Sequence, residues 1–315
     1  MNIVLLDAKT LGVDIDIEPI KNFGTLTIYE TTSKDKTLDR VKDADIIITN
    51  KVVIDRSIMQ NSPKLKLICV AATGMNNVDL IAAKELGIEV KNVSGYSTHS
   101  VVQHTFALAF YLLEQLNYYD NAVKSKQWSS SNLFTDLTYS FSEIRDKKWG
   151  IIGLGAIGLE VAKIASAFGA DISYYSTSGT KHSDLYPHMG LNELLSSCDV
   201  ISIHSPLNDI TTNLINSSNL PLLKDGALLL NLGRGGIVNE NDLAISVDSQ
   251  NIFAGLDVTK IEPIEPDNPL LHIKNKNRLL ITPHIAWASR EARVKLVEGI
   301  VKNIEDFLKR KKFDN

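Results

Sequence analysis

The most specific chemical pattern in the chain is Gly153-Leu154-Gly155-Ala156-Ile157-Gly158, preceded by the run KKWGII and followed by LEVAKIASAF and then DISYY. That order reads as strand, glycine loop, helix, strand, the context in which G-x-G-x-x-G cradles the pyrophosphate of a dinucleotide. Gly153 permits the tight turn, Gly155 lets the backbone approach the pyrophosphate, and Gly158 lets the helix pack close to the sheet. Ala156 and Ile157 complete the loop, and the helix N-terminus offers unpaired N–H groups and a partial positive charge to the phosphates. Where NAD-binding domains usually carry Asp or Glu for the ribose 2'-hydroxyl, at the end of the second strand, this sequence has Ser176, and Asp171 lies at the wrong end. No carboxylate then repels a 2'-phosphate, and Ser176, Thr177, Ser178 and Lys181 can donate hydrogen bonds or charge to one. Both NAD and NADP are candidate cofactors, and no Arg stands there to decide for NADP.

Three further features fall at the carboxyl ends of later strands, where ligands of open parallel sheets bind. They are Asn231-Leu-Gly-Arg-Gly-Gly236, Ala254-Gly-Leu-Asp257-Val with Glu262-Pro263 beyond it, and Thr282-Pro-His284-Ile-Ala. Singly, each has a plainer reading: Arg234 as a loop-capping cation, Glu262 as a solvated carboxylate, His284 as a loop histidine. Their convergence on one rim is what points to a site.

With AATGMNNVDL, NVSGYSTHSVVQHTFAL, WGIIGLGAIG, DVISIHSPL, NLGRGGIVNE, AGLDV and TPHIAWAS in this order, the chain resembles, over nearly its whole length, the D-isomer-specific 2-hydroxyacid dehydrogenase family. Its AATGMNN segment looks most like the glycerate dehydrogenase, or hydroxypyruvate reductase, branch. The resemblance implies catalysis by Arg234, Glu262 and His284, with Leu232, Gly233, Arg234 and His284 also at the cofactor. It implies cofactor-wall roles for His204, Pro206 and Thr211, for which a buried structural His204 is the alternative. Asp257 would accept from the nicotinamide carboxamide, with a structural cap as its alternative. Ala72, Thr73 and Gly74 would bind the substrate carboxylate through backbone N–H groups, where the plainer reading is a strand-to-helix turn; Arg234 and His284 also face the substrate. D-stereochemistry rests on the resemblance alone.

Physical chemistry stands beside that match. Reducing a 2-oxo acid needs a hydride, a proton for the nascent alkoxide, and a cation for the carboxylate. Imidazole titrates near neutral pH, which suits His284 as proton donor, and neutral His284 would accept the hydroxyl proton in oxidation. A neighbouring Glu262 would orient the ring and favour imidazolium, and Arg234 supplies a planar fork for a carboxylate. Two other readings remain: a nucleotide-sensing binding protein on the same scaffold, and a formate- or phosphite-type dehydrogenase that needs no ketone-protonating histidine.

These residues must be positioned by alternating strands and helices. Ile3 to Leu6, Leu26 to Tyr29, Asp45 to Thr49, Leu67 to Val70 and Ile88 to Lys91 read as strands, as do Trp149 to Ile152, Ile172 to Tyr175, Val200 to His204, Ala227 to Asn231, Ile252 to Asp257 and Leu279 to Ile281. The fold class is α/β, with two doubly wound parallel-sheet domains: a flavodoxin-like substrate domain and a Rossmann cofactor domain, with a ligand cleft between them. Ser97 to Leu116 reads as one long helix crossing between domains, carrying Gln103 and His104 without an assigned role. A polar segment, 125–148, follows as an extended arm. Ser289 to Lys311 reads as a late helix returning to the first domain. The boundaries that follow are 1–97 plus 288–315 for the substrate domain and 98–287 for the cofactor domain.

At 315 residues, with 44% hydrophobic and 22% charged residues, the chain has the composition of a globular protein of about two domains. Its 33 Lys and Arg against 37 Asp and Glu leave a net charge of -4, so no global basic field argues for nucleic acid. Cys69 and Cys198 sit in apolar runs and read as buried thiols in a reducing cytosol. The start MNIVLLDAKT lacks a signal peptide's pattern and no run is long enough to span a membrane, so a cytoplasmic protein is expected, acting on a small molecule and forming a homodimer as the family does.

Overall fold

The computed structural model describes residues 1–179 and 183–313. It divides into two compact units, 1–97 with 288–315 and 98–287. In the first, β1 (Asn2–Leu5), β2 (Thr25–Ile28), β3 (Ile46–Thr49), β4 (Leu67–Val70) and β5 (Glu89–Asn92) form a parallel sheet in the order β2-β1-β3-β4-β5. That is the flavodoxin-like order, whose direction reverses beside β1. The strands are near-continuous apolar runs because both faces are covered: every residue of β3 and β4 is buried. The connecting helices are α1 (Thr37–Val41), α2 (Arg56–Gln60) and α3 (Leu80–Glu85), the last two started by Asp55 and Asp79, whose carboxylates accept the N–H of Ile58 and Ala82.

In the second unit β6 (Lys148–Ile152), β7 (Asp171–Tyr175), β8 (Val200–Ile203), β9 (Leu228–Asn231), β10 (Phe253–Leu256) and β11 (Leu279–Ile281) are again all parallel, ordered β11-β10-β9-β8-β6-β7. A Rossmann sheet has one more strand outside β7. Here that strand is reduced to a single bridge, His188 against Tyr174, held by Tyr174 N–H to the Pro187 carbonyl and Met189 N–H to the Tyr174 carbonyl. Helices α4 (Thr98–Leu113), α6 (Ala156–Ala167), α7 (Leu191–Ser197) and α8 (Glu240–Ser249) cover the sheet, whose two faces carry separate apolar cores.

The long helix expected through Leu116 is two helices. Gln115 takes a left-handed φ of 53° and its side-chain amide donates to the Leu112 carbonyl at 2.8 Å, which closes α4, and α5 (Leu116–Lys124) then starts afresh. From there to β6 the only helical turn among the described residues is Trp128–Ser130, and Leu133, Phe134 and Leu137 lie exposed at 69%, 90% and 78%, the arm that the polar sequence suggested. The final helix, α9 (Arg290–Phe313), belongs to the first unit. Leu296, Ile300 and Ile304, four residues apart and therefore on one face, are fully buried, each worth roughly 1.5–3 kcal/mol against exposure. Arg293 pairs with Asp14, and Asn303 donates to the Asn92 carbonyl. Among the described residues no helix is long and apolar enough to cross a membrane.

Candidate active site

β6 delivers the glycine loop. Gly153 has φ +92°, a conformation that disfavours a side chain, and its N–H donates to the Tyr175 carbonyl at 3.0 Å. A Cβ on Gly158 would lie 2.3 Å from the Gly153 carbonyl oxygen, so only glycine lets α6 sit this close to the loop. Gly155 differs: its φ is -84° and a Cβ there would meet nothing within 4 Å, so nothing among the described residues requires glycine. It is also the N-cap of α6 and supplies no side-chain cap, which leaves the N–H groups of the first turn, including Ala156 and Ile157, open to an anion. A ligand's close approach accounts for both facts, and a dinucleotide pyrophosphate fits them.

At the ribose position Ser176 is buried and its hydroxyl lies 3.4 Å from that of Ser178; Thr177 is half-buried, and Asp171 begins the strand at its other end. Lys181 lies outside the described residues. After β8 come His204 and Ser205. Both ring nitrogens of His204 and the Ser205 hydroxyl are buried with no partner among the described residues. Although part of the His204 side chain is accessible, burial of its nitrogens pushes its pKa down to about 3, so the ring is neutral and keeps one donor and one acceptor to satisfy. Ser205 lies between the two glycine loops, its Cβ 3.0 Å from the position a Gly153 Cβ would take and its carbonyl 2.7 Å from that of a Gly233 Cβ. Sequence reading passed over Ser205; its place one residue past a buried strand, on the rim that binds ligands, was the available signal. Pro206 is exposed, while Thr211 is buried and braces its own loop, donating to the Pro206 carbonyl at 2.7 Å and accepting the Asn208 N–H.

β9, β10 and β11 are neighbours, so their carboxyl ends share one rim. Leu232 and Gly233 are buried, and Asn231 shapes the turn by accepting the Gly233 N–H and donating to the Arg234 carbonyl. This leaves the Arg234 guanidinium exposed and, among the described residues, in no ion pair; one of its nitrogens donates to the Gly233 carbonyl. A Cβ on Gly235 would overlap the Thr259 carbonyl, so the arginine turn lies directly on the segment that leads to Glu262. Glu262 in turn meets His284: Oε2 lies 2.6 Å from Nδ1, while Oε1 accepts the Thr259 N–H. An ionised carboxylate can only accept, which puts the proton on Nδ1 and turns Nε2 into the nitrogen available for chemistry. His284 has a left-handed φ of 54°.

Asp257 is 1% exposed and holds the histidine segment. Oδ1 accepts the Thr282 hydroxyl at 2.7 Å and the Ile285 N–H at 2.9 Å, and Oδ2 accepts the Ala286 N–H at 2.9 Å. These are the bonds of a structural cap. In the first unit, taken by itself, the segment after β4 keeps Ala72, Thr73 and Gly74 at least partly exposed, and none of their three N–H groups donates to a protein acceptor among the described residues. The Thr73 carbonyl accepts from Asn92 at 2.6 Å and its hydroxyl donates to Val93, so the turn is fixed while its donors stay open.

Known proteins resemble this chain in sequence and fold. A family model for the NAD binding domain of D-isomer specific 2-hydroxyacid dehydrogenases matches residues 106–286. A hydroxypyruvate reductase of Blautia hydrogenotrophica is 37% identical over 98% of this chain and 97% of its own length. Among solved structures, a D-lactate dehydrogenase from Aquifex aeolicus, complexed with NAD and lactic acid, superposes with a TM-score of 0.83 at 28% identity, covering 98% of this chain and 96% of that one. An acyclic imino acid reductase in complex with NADPH and D-Arg gives 0.86 at 28%, covering 99% and 98%. The chain belongs to the D-isomer specific 2-hydroxyacid dehydrogenase family. It is an oxidoreductase with an NAD(P)-binding domain, acting on 2-hydroxy acids, and the residues matched to that domain, 106–286, lie within the second unit.

Proposed function

We propose that the protein reduces a small 2-oxo acid, hydroxypyruvate to D-glycerate or glyoxylate to the achiral glycolate, with His284 as proton donor. The observation that carries this is the 2.6 Å contact between His284 and Glu262, which leaves Nε2 to work on the rim that also bears the dinucleotide loop. When bound there, the reduced nicotinamide supplies the hydride. As the carbonyl carbon receives it, the oxygen takes a proton from His284 Nε2–H, and Glu262 compensates the charge of the imidazolium that donates it. Arg234 presents two N–H groups in a plane to the substrate carboxylate and draws electron density toward the carbonyl oxygen. The open N–H groups of Ala72, Thr73 and Gly74 are assigned to a carboxylate oxygen in the same reading. His204, Ser205, Pro206, Thr211, Leu232, Gly233 and Asp257 are assigned to the nicotinamide end of the cofactor, and Ser176, Thr177, Ser178 and Lys181 to its adenosine ribose.

Support for the substrate comes from the relative named hydroxypyruvate reductase. For the coenzyme, Ser176 without a carboxylate supports use of NADPH as well as NADH. The reading makes the protein a homodimer, supported by the exposed Leu133, Phe134, Leu137 and Phe141 on the arm, which a second copy would cover. The test is a steady-state panel of glyoxylate, hydroxypyruvate, pyruvate and longer oxo acids with both coenzymes, following absorbance of the reduced nicotinamide. Hydroxypyruvate and glyoxylate should give the highest kcat/KM; a preference for pyruvate or a bulkier oxo acid overturns the substrate assignment.

A further inference from the structure

His104 takes no part in the mechanism above, yet it is tied to the segment that carries His284. Ser100 and His104 are four residues apart on α4 and so share a face. Ser100 donates its hydroxyl to the Ala286 carbonyl at 2.6 Å, and His104 Nε2 lies 3.0 Å from Thr282 Oγ1. Those contacts fall at the two ends of the five residues 282–286, and His284 is in the middle with its left-handed φ. That conformation is unfavourable for a residue with a side chain, so the flanks must hold it.

A proton inventory defines what His104 does. The Thr282 hydroxyl has one hydrogen and gives it to Asp257 Oδ1 at 2.7 Å; a buried carboxylate has none to return. Toward His104 the hydroxyl can therefore only accept, and Nε2 must carry a hydrogen. Nε2 also lies 3.5 Å from Asp257 Oδ1, so the donor points into the one buried carboxylate that organises the segment. Burial holds His104 below the ordinary histidine pKa, partly countered by Asp257, in keeping with a neutral ring whose hydrogen is on Nε2.

We infer that His104 is a positioning residue for His284: its Nε2–H orients the Thr282 hydroxyl onto Asp257, and Asp257 then fixes the backbone from which His284 is aimed. The inference rests on the reading of His284 as proton donor. His104→Leu removes the donor and keeps the bulk, whereas His104→Gln returns an N–H at a similar reach. Thr282→Val breaks the same chain one link further on.

The experiment measures single-turnover reduction of glyoxylate, NADH binding by fluorescence, and Tm, in the full-length protein. His104→Leu should slow the chemical step about tenfold, the scale of one lost hydrogen bond, with NADH affinity within about twofold and the fold retained. His104→Gln should recover most of that loss. Thr282→Val should cost a similar factor, and the double variant no more than the worse single one, because both interrupt one chain. A wild-type chemical step in His104→Leu, a Gln variant no better than Leu, or factors that multiply in the double variant would each overturn the inference. His284→Asn, run in parallel, separates the two levels: lost turnover there with wild-type behaviour in His104→Leu overturns the positioning role alone, and retained turnover in His284→Asn overturns the underlying reading.

Discussion

In the proposed reading Ser176 bears on the coenzyme by what it lacks. Buried just after β7 with its hydroxyl 3.4 Å from that of Ser178, it offers neither a carboxylate for the two ribose hydroxyls of NADH nor a repulsive charge against the 2'-phosphate of NADPH. Ser176→Asp should therefore raise the Michaelis constant for NADPH and lower that for NADH, each by about tenfold, the scale of one charge-assisted hydrogen bond. A wild type that already strongly rejects NADPH would contradict this. At this scale the residues with distinctive chemistry were legible: glycines at fixed offsets, and Arg234, Glu262 and His284 after successive strands. What was not legible was how side chains share their hydrogens. Nothing in the sequence says that Glu262 takes Nδ1 of His284, that Thr211 spends its hydroxyl inside its own loop, or that Asn231 bonds to both sides of the arginine turn. Such pairings join residues whose separation in the fold depends on the packing of several elements.

Helix α6 and its glycine loop show how one element serves both stability and binding, through two glycines that can be told apart. Gly155→Ala adds a methyl group into open space at a φ alanine accepts, so stability should hold or rise by the small amount expected when a flexible residue is replaced, about 0.4–1 kcal/mol, and Tm should follow it. Coenzyme affinity should fall about tenfold or more, since the methyl group stands where the pyrophosphate meets the backbone. Gly158→Ala should do the reverse damage first: its Cβ would lie 2.3 Å from the Gly153 carbonyl, so the loop or helix must shift and thermal stability drops. Equal Tm losses in both variants would remove the distinction. The strand and helix alternation was readable because each parallel strand is a short apolar run bounded by turns, and the structure keeps every one of them within a residue at either end. The break at Gln115 was not, because a left-handed glutamine has no sequence signature; the helix ends where the side chain can bond back to Leu112. The edge strand of the Rossmann sheet was equally invisible, since a single bridge at His188 has no periodicity.

At the scale of the molecule, a chain of two sheets places its thiols in two separate cores. Cys69 lies in β4, where burial pushes its pKa up to about 12, and Cys198 precedes β8, its thiol also raised by burial. Neither should react with a thiol reagent at neutral pH in the native protein, and both should react in denaturant; fast native labelling would mean that one core opens readily. The net charge of -4 gives no long-range attraction for an anionic substrate, so in the proposed reading its capture falls to local donors, Arg234 and the N–H groups of Ala72, Thr73 and Gly74. All of these parts serve one claim, that His284 delivers the proton as a 2-oxo acid is reduced. The most direct test is the single-turnover oxidation of NADH by glyoxylate in His284→Ala. The chemical step should slow by roughly 10²- to 10⁴-fold while NADH binds as tightly as before. A chemical step unchanged by the substitution would contradict the account.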